Sequence, residues 1–304
     1  MIAKGSKSFA LASRLFDRTT RERVWLLYAW CRRCDDWIDG QDLGGVLGDQ
    51  SAVTARLAEV RALTARALAG EMTGEPAFDC LGLVAAETGL TQAMADDVIA
   101  GFALDAQGWH PQTEADLMRY CWHVAGAVGV MMAVVMGVDP ADTATLERAC
   151  DLGLAFQLAN IARDVAEDAA AGRCYLPAQW LAEAQIAPDA LLAPANRAAL
   201  AQLTARLCEL AVAHECSARI GARGLGLRQR WAILAAAGIY GDIARLVGRR
   251  GAEALDRRTV VSTPRKLGWL VKALVQALFP LPSRLDNAAA LRHVTYRELA
   301  QSPV

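Results

Sequence analysis

The sequence has 304 residues, of which 54% are hydrophobic and 21% charged, and its formal net charge is −1. This composition indicates a globular chain that can bury a sizeable core, and it excludes an intrinsically disordered protein. The 32 basic residues form no stripe with interleaved aromatic side chains, so we do not expect nucleic acid as a partner.

Secretion, membrane spanning and structural zinc are not indicated either. The first residues carry no signal-peptide pattern, and no uninterrupted apolar run reaches the roughly 18 residues of a transmembrane helix. Eight cysteines are scattered along the chain, and Cys31 and Cys34 form a lone CxxC with no second pair or nearby histidine. We therefore expect packed free thiols in a cytoplasmic protein.

Helical periodicity dominates the chain, and strand patterns are nearly absent. In chain order the pattern predicts helices over residues 20–39, 51–70, 77–88, 91–106, 114–137, 141–169, 177–185, 194–222, 228–250, 264–279 and 287–300. Glycine and proline residues separate these segments, and no break resembles a flexible interdomain linker. We expect residues 1–304 to form a single all-α domain.

The first acidic motif lies in YAWCRRCDDWIDG, residues 28–40. Asp35 and Asp39 are four residues apart, so on a helix they share one face, with Arg32 and Asp36 beside them. Like charges at this spacing destabilise a helix by roughly 0.2–0.5 kcal/mol. The motif therefore indicates a place where a cation joins the carboxylates.

A second acidic motif follows the pattern NxxxDxxxD. Asn160, Asp164 and Asp168 lie at positions i, i+4 and i+8 of a predicted helix, and Gln157 precedes them by three residues. One amide and two carboxylates thus form a row along one helix face, with Arg163 beside the row.

Two acidic helix faces in apolar surroundings suit the binding of a diphosphate through metal ions. Carboxylates alone would repel that anion, whereas Mg²⁺ takes oxygen ligands from both. Such ions would stabilise the charge on a departing diphosphate, and Arg32 and Arg163 would bind the remaining phosphate oxygens. A single DxxxD is most often a solvated helix face, and that alternative stays open for each motif taken alone.

Two apolar segments also allow two interpretations each. The segment 125–137, rich in Ala, Gly, Val and Met, is either a tunnel wall for prenyl chains or a tightly packed helix. In the stretch 264–300, an apolar stripe beside basic residues predicts either peripheral contact with the inner face of a membrane or a last core helix. The stripe consists of Trp269, Leu270, Ala273, Leu274, Ala277 and Leu278, and the basic residues are Arg265, Lys266 and Lys272.

At these motifs the sequence resembles the squalene/phytoene synthase family, on its bacterial phytoene synthase branch. The resemblance extends over most of the chain and fades in the last thirty or so residues. It rests on GSKSFALASRLF (5–16), YAWCRRCDDWIDGQ (28–41), GFALD (101–105), YCWHVAGAVGVMMAVVMGV (120–138), ACDLGLAFQLANIARDVAEDAAAGRCYLP (149–177) and STPRKL (262–267).

The resemblance implies an isoprenoid-synthase helical fold around a central cavity, and it assigns roles to single residues. The implied metal ligands are Asp35, Asp39, Asn160, Asp164 and Asp168, with Asp36 in support. The implied catalytic set is Asp35, Asp39, Asp164, Asp168 and Tyr120. Implied substrate contacts come from Ser6, Ser8, Phe9, Tyr28, Arg32, Asp105, Gln157, Arg163 and Tyr240, and from Arg257 or Arg258. Lys266 is a further basic candidate, and Arg173 and Tyr175 form either a flap or a packed turn.

The implied reaction joins two geranylgeranyl diphosphates head to head, through the cyclopropyl intermediate prephytoene diphosphate, to phytoene. The implied cofactor is a cluster of Mg²⁺ or Mn²⁺ ions, with no requirement for NADPH. Three alternatives stay open: a dehydrosqualene or squalene synthase acting on farnesyl diphosphate, a one-substrate terpene cyclase, and a non-catalytic helical assembly factor of the same fold.

Overall fold

The computed structural model describes residues 7–40 and 52–279, together with Thr295, Glu298 and Leu299, and leaves the side chains of residues 7–9 and of Asp39 undescribed. The described residues form helices and loops, without strands. The helices are α1 (Lys7–Ser13), α2 (Arg18–Asp39), α3 (Val53–Leu68), α4 (Pro76–Glu87), α5 (Gln92–Ala106), α6 (Glu114–Cys121), α7 (Ala127–Val135), α8 (Thr143–Ala170), α9 (Ala178–Glu183), α10 (Arg197–Gly221), α11 (Leu227–Arg250) and α12 (Thr263–Leu278).

Most helix boundaries lie within three residues of the sequence prediction, and the all-α class is confirmed. Helix α2, for example, begins two residues before the predicted 20–39 because Asp17 caps it, accepting a hydrogen bond from the Thr20 backbone N–H at 2.9 Å. The short helix α1 was not predicted. The helix predicted over 287–300 lies mostly outside the described residues.

The predicted helix 114–137 is interrupted by a π-helical segment, Trp122–Gly126, between α6 and α7. Such a segment inserts a residue into the helical register, and single π-turns are frequent at functional sites. Nδ1 of His123 lies 2.9 Å from the Asp97 carbonyl oxygen of α5, which fixes the segment against its neighbour.

Helix α8 is the centre of the fold and packs against α7, α10 and α11. Glycines allow a close approach on the α7 side. A Cβ on Gly129 would lie 2.5 Å from the Ala149 carbonyl oxygen, and a Cβ on Gly153 would overlap the Ala125 carbonyl. The tight-packing interpretation of segment 125–137 is therefore confirmed for one face of that segment.

Helix α12 packs along α11, and the apolar stripe predicted for it mostly faces inward. Ala273 and Ala277 are buried, Leu270 packs with them, and the Trp269 ring covers Gly238 of α11. Of the two interpretations of the stripe, the last core helix fits Trp269, Leu270, Ala273 and Ala277, whereas Leu278 is exposed, and membrane contact stays a prediction.

Two helical stretches, Glu114–Val135 and Leu227–Leu255, are long and apolar enough to cross a membrane. In each, 61% of the most apolar window is buried inside the fold, as is usual for core helices. All eight cysteines are free thiols, as predicted, and four of them are buried.

Candidate active site

An apolar cavity of about 320 Å³ runs along α8. Its lining on α8 extends from Thr145 to Asn160, about 22 Å at 1.5 Å per residue. A second part of the wall comes from the segment Ala125–Met136, so the interpretation of that segment as a cavity wall is also confirmed. One side of the segment packs on α8, and another lines the cavity.

One end of the cavity is aromatic and polar. Tyr240 of α11 stacks on Phe156 of α8, with ring centroids 4.0 Å apart, one helical turn from Asn160. Tyr28 of α2 lines the same cavity, and its pKa is raised by burial and by the neighbouring Tyr240, against the effect of Arg32. Both acidic motifs continue from this end, on α2 beyond Tyr28 and on α8 beyond Asn160.

On α2, Arg32 holds the first acidic motif together. Its guanidinium lies 2.9 Å from Asp35 and 2.6 Å from Asp36. Asp36 is buried, whereas Asp35 remains about one-third exposed. Arg32 therefore pairs with both carboxylates, the buried Asp36 and the partly exposed Asp35. Asp39 is the last residue of α2, but its side chain lies outside the described part.

On α8, Asp164 joins two arginines. Arg163 donates to it from the same helix, and Arg258 donates to both of its oxygens at 2.9 and 3.0 Å from the segment before α12. Burial would raise the pKa of Asp164, but these two cations outweigh it and hold the pKa below its usual value. Of the two candidate arginines, Arg258 thus lies in the site, whereas Arg257 is exposed and has no described contact with the acidic motifs.

The third member of the α8 row, Asp168, has a different environment. Burial, opposed by Arg173 and reinforced by Asp164 and Glu167, raises its pKa to about 6. Unlike Asp164, Asp168 makes no described ion pair with an arginine. The Asp168 carboxylate can therefore bind a metal ion without first losing a strong ion pair.

Both acidic motifs lie at the C-terminal ends of their helices. Helix α2 ends at Gly40 (φ 64°), and α8 ends just before Gly172 (φ 76°). Neither helix has a basic residue in its last turn, so Asp36 and Asp168, which lie in the last turns, meet the negative end of the helix dipole at a cost of about 0.3–1 kcal/mol each. External cations would relieve this repulsion, and the residues present thus fit metal ions.

The described side chains do not form a metal site by themselves. No group of three acidic, His or Cys side chains among them is close enough to hold an ion. A diphosphate can supply further oxygen ligands to an ion at these motifs. The metal assignment of Asp35, Asp36, Asp39, Asn160, Asp164 and Asp168 stays a prediction.

A stack of three aromatic rings lies beside Asp168. Tyr120 stacks between Trp109 and Tyr175, with centroids 5.6 and 5.0 Å away. The hydroxyls of Tyr120 and Tyr175 both donate to Asp105, at 2.8 and 3.2 Å. Burial and Asp105 raise the pKa of both phenols, so both keep their protons at neutral pH. The structure places Asp105 and Tyr120 in this cluster rather than in the lining of the cavity.

The other sequence candidates are placed as follows. Gln157 lines the cavity. Lys266 lies on α12, with no described contact to either acidic motif. Ser6 lies outside the described residues, and so do the side chains of Ser8 and Phe9, so the closing of this segment over the site stays a prediction.

Sequence reasoning missed a polar network at the other end of the cavity. Arg148 lines the cavity and donates to Ser217, which donates to the buried carboxylate of Asp151. Nδ1 of His214 lies 2.8 Å from the same carboxylate. These residues belong to two helices far apart in sequence, so no local spacing could have indicated the network.

Sequence comparisons with known proteins identify the family of the chain. The family model described as squalene/phytoene synthase matches residues 2–265. The chain is 50% identical over 276 residues to a 15-cis-phytoene synthase of Enterobacter agglomerans, covering 90% of this chain and 92% of that protein. It is 48% identical over 279 residues to a 15-cis-phytoene synthase of Pantoea ananas, with 91% and 90% covered.

Solved structures give the same fold. A dehydrosqualene synthase in complex with ligand superposes with a TM-score of 0.79 at 29% identity, covering 90% of this chain and 92% of that one. A squalene synthase from Alicyclobacillus acidocaldarius superposes with a TM-score of 0.71 at 24% identity, over 82% and 90%, and supports the fold alone.

Proposed function

The chain belongs to the squalene/phytoene synthase family, and on that premise we propose that it acts as a phytoene synthase. It joins two geranylgeranyl diphosphates to prephytoene diphosphate and converts this to phytoene, and each of the two steps releases one diphosphate and one proton. The observation that carries the proposal is the layout of α8, which has an acidic motif at one end and lines an apolar cavity along about 22 Å before it. The relatives named for this activity cover nearly the whole chain, which favours it over the alternatives.

The acidic motifs are the diphosphate end of the proposed site. Asp35, Asp39, Asn160, Asp164 and Asp168 would hold Mg²⁺ or Mn²⁺, which supplies Lewis-acid stabilisation of the leaving diphosphate. The protein's own cations Arg32, Arg163 and Arg258 bind phosphate oxygens that the carboxylates would otherwise repel. Arg258 comes from the segment before α12, so it closes this end from the opposite side.

The apolar cavity holds the prenyl chains. Burying a twenty-carbon chain contributes about 16 kcal/mol gross at ~0.8 kcal/mol per carbon, before the losses of binding. The faces of Tyr28, Phe156 and Tyr240 stabilise an allylic cation formed near them, and the dry walls keep water from it. Tyr120 and Tyr175 stay protonated at neutral pH and donate to Asp105, which holds that carboxylate in place.

The test is incubation with geranylgeranyl or farnesyl diphosphate and Mg²⁺, with and without NADPH, followed by identification of the hydrocarbon. We expect phytoene from geranylgeranyl diphosphate in the absence of NADPH. A thirty-carbon product from farnesyl diphosphate alone would establish the shorter-chain alternative. A cyclic product from one diphosphate would indicate a cyclase, and no turnover of either substrate would indicate a non-catalytic factor.

The proposed location is the cytoplasm, in peripheral contact with the inner face of the membrane. The reason is chemical, since a forty-carbon hydrocarbon without polar groups does not partition into water. Cell fractionation with salt and carbonate washes tests this location, and recovery of all the protein in the soluble fraction before any wash would refute it.

A further inference from the structure

The outer face of α12 is an exposed apolar surface. Val271 is 65% exposed, Val275 53% and Phe279, just after the helix, 69%. Leu267 and Leu278 are also exposed and lie on the same side, at spacings of three and four residues. These five residues form a continuous ridge, which we call the outer ridge. Contiguous exposed apolar surface of this kind marks an interaction site.

The helix that carries the outer ridge is firmly attached to the core. Arg265 donates to both oxygens of the buried Asp242 at 2.7 and 3.0 Å. The indole N–H of Trp231 donates to the Leu270 carbonyl at 2.8 Å. The inner face of α12 packs on Ala222 and Leu234. The outer ridge is therefore held in a fixed position and is not a frayed terminus.

The distal end of the cavity, far from the acidic motifs, lies next to this ridge. It is bounded by Val138 and Leu225, which belong to two surface loops, 136–142 and 222–226. The guanidinium of Arg230 donates to the Leu225 carbonyl at 2.9 Å and to the Ala277 carbonyl of α12 at 3.1 Å. One side chain thus joins the end of the cavity to the end of the ridge.

The sequence segments that flank the outer ridge are basic, although Asp242 and Glu215 pair with some of the arginines on and beside α12. The segments 216–241 and 257–278 contain basic residues and no acidic residue. Lys272 is exposed on α12 itself, and Arg228 and Leu227, which is 49% exposed, lie at the start of α11, where Arg230 bonds to the Ala277 carbonyl of α12. An apolar ridge flanked by cations fits the surface of an anionic lipid bilayer.

We propose that the outer ridge docks on an anionic lipid bilayer and that the hydrocarbon product leaves the distal end of the cavity, between loops 136–142 and 222–226, into the acyl chains. The inference rests on the proposed function, because only an insoluble hydrocarbon needs such a route. It gives the two ends of the cavity different tasks: the diphosphates stay at the aqueous end and the hydrocarbon leaves at the other.

Docking is tested by flotation with phosphatidylcholine vesicles that contain phosphatidylglycerol. The double variant Val271→Glu/Val275→Glu should bind these vesicles at least about tenfold more weakly. It loses two apolar side chains that would be buried in the bilayer, and the anionic lipids repel the two added carboxylates. The matched control is Leu83→Glu on α4, an equally exposed leucine far from the ridge in sequence, which should float like the unaltered protein. Equal flotation of the double variant and the control would overturn docking.

The exit route is tested by the time course of product formation. Leu225→Trp narrows the distal end, so we expect the steady-state rate of this variant to fall about tenfold below the rate of its own first turnover, with product retained on the protein. A first turnover slowed as much as the later ones would overturn the route, because the residue would then affect binding or chemistry.

Two outcomes separate this inference from its premise. Absence of hydrocarbon from the unaltered protein, in detergent and in vesicles alike, would refute the phytoene synthase function itself. Normal hydrocarbon formation in detergent by the double variant, with undiminished vesicle binding, would refute docking alone. A concentration-dependent dimer that the double variant abolishes would show that a second copy covers the ridge, and this would also overturn the proposal.

Discussion

The contrast between Arg257 and Arg258 gives the sharpest test of the active site. The two are adjacent, of the same type and both exposed on the surface, but only Arg258 reaches the acidic motif on α8. Its guanidinium makes two hydrogen bonds to Asp164 and lies 3.5 Å from Glu167. We expect Arg258→Ala to impair catalysis and Arg257→Ala to leave it almost unchanged.

The magnitude follows from what each variant removes. Asp164 keeps Arg163 when Arg258 is lost, and the Arg258 side chain is 48% exposed, so the free energy of unfolding should fall by less than about 1 kcal/mol. In the reaction, however, Arg258 would donate to a diphosphate that gains charge as it departs. Loss of one such donor typically lowers kcat about 10²–10³-fold.

The assay is hydrocarbon formation from labelled geranylgeranyl diphosphate, with urea unfolding of each variant as the stability control. Arg258→Lys should recover only part of the rate, because lysine keeps the charge but loses the two-pronged geometry. Arg257→Ala should stay within about threefold of the unaltered protein, since it removes only an exposed charge. A loss in Arg257→Ala as large as that in Arg258→Ala would refute the assignment.

Three further predictions concern the motifs and the packing. Asp35→Ala or Asp164→Ala should abolish hydrocarbon formation while circular dichroism shows unchanged helix content; near-normal turnover in either would defeat the metal assignment. Gly153→Ala should destabilise the protein by about 1–3 kcal/mol in urea, because its Cβ would overlap the backbone of the π-helical segment, whereas Gly268→Ala, with open space around it, should stabilise slightly. Burial raises the pKa of Asp97 to about 6, above the ~3.9 of an unfolded aspartate. The folded state therefore binds a proton at Asp97 more tightly than the unfolded state does, and the free energy of unfolding falls as pH rises from about 4 through 6. Asp97→Asn should therefore raise the free energy of unfolding at pH 8 by about 1 kcal/mol after allowance for solvent screening, with no gain at pH 4.

The sequence predicted those features that depend on local spacing. Residues four apart share a face in any helix, so the spacing of Asp164 and Asp168 alone places them on one row. Capping and glycine termination likewise fix helix ends within a few residues, as Asp17 and Gly40 do for α2.

Features that depend on packing between distant segments were not accessible. The side chain of Arg258 meets Asp164 across 94 residues, and nothing in the dipeptide Arg257–Arg258 indicates which of the two points inward. The π-helical segment shifts the register of helix 114–137 by one residue, which a regular periodicity cannot show. For α12 the hydrophobic pattern left core packing and membrane contact both open, because it identifies apolar residues but not which of them meet the core.

Helix α8 couples the two ends of the proposed reaction. Its C-terminal turns carry carboxylates at the unfavourable end of the dipole, and its earlier turns line the cavity and, at Ala149 and Gly153, are approached closely by α7 and the π-helical segment. The acidic end is tolerated because the rest of the helix is buried and packed. A change in the register of α8 against α7 would move Asp164 and the cavity wall together. The distance between the diphosphate site and the prenyl chain is therefore set by one rigid helix, and the glycine contacts at Gly129 and Gly153 keep that helix in place.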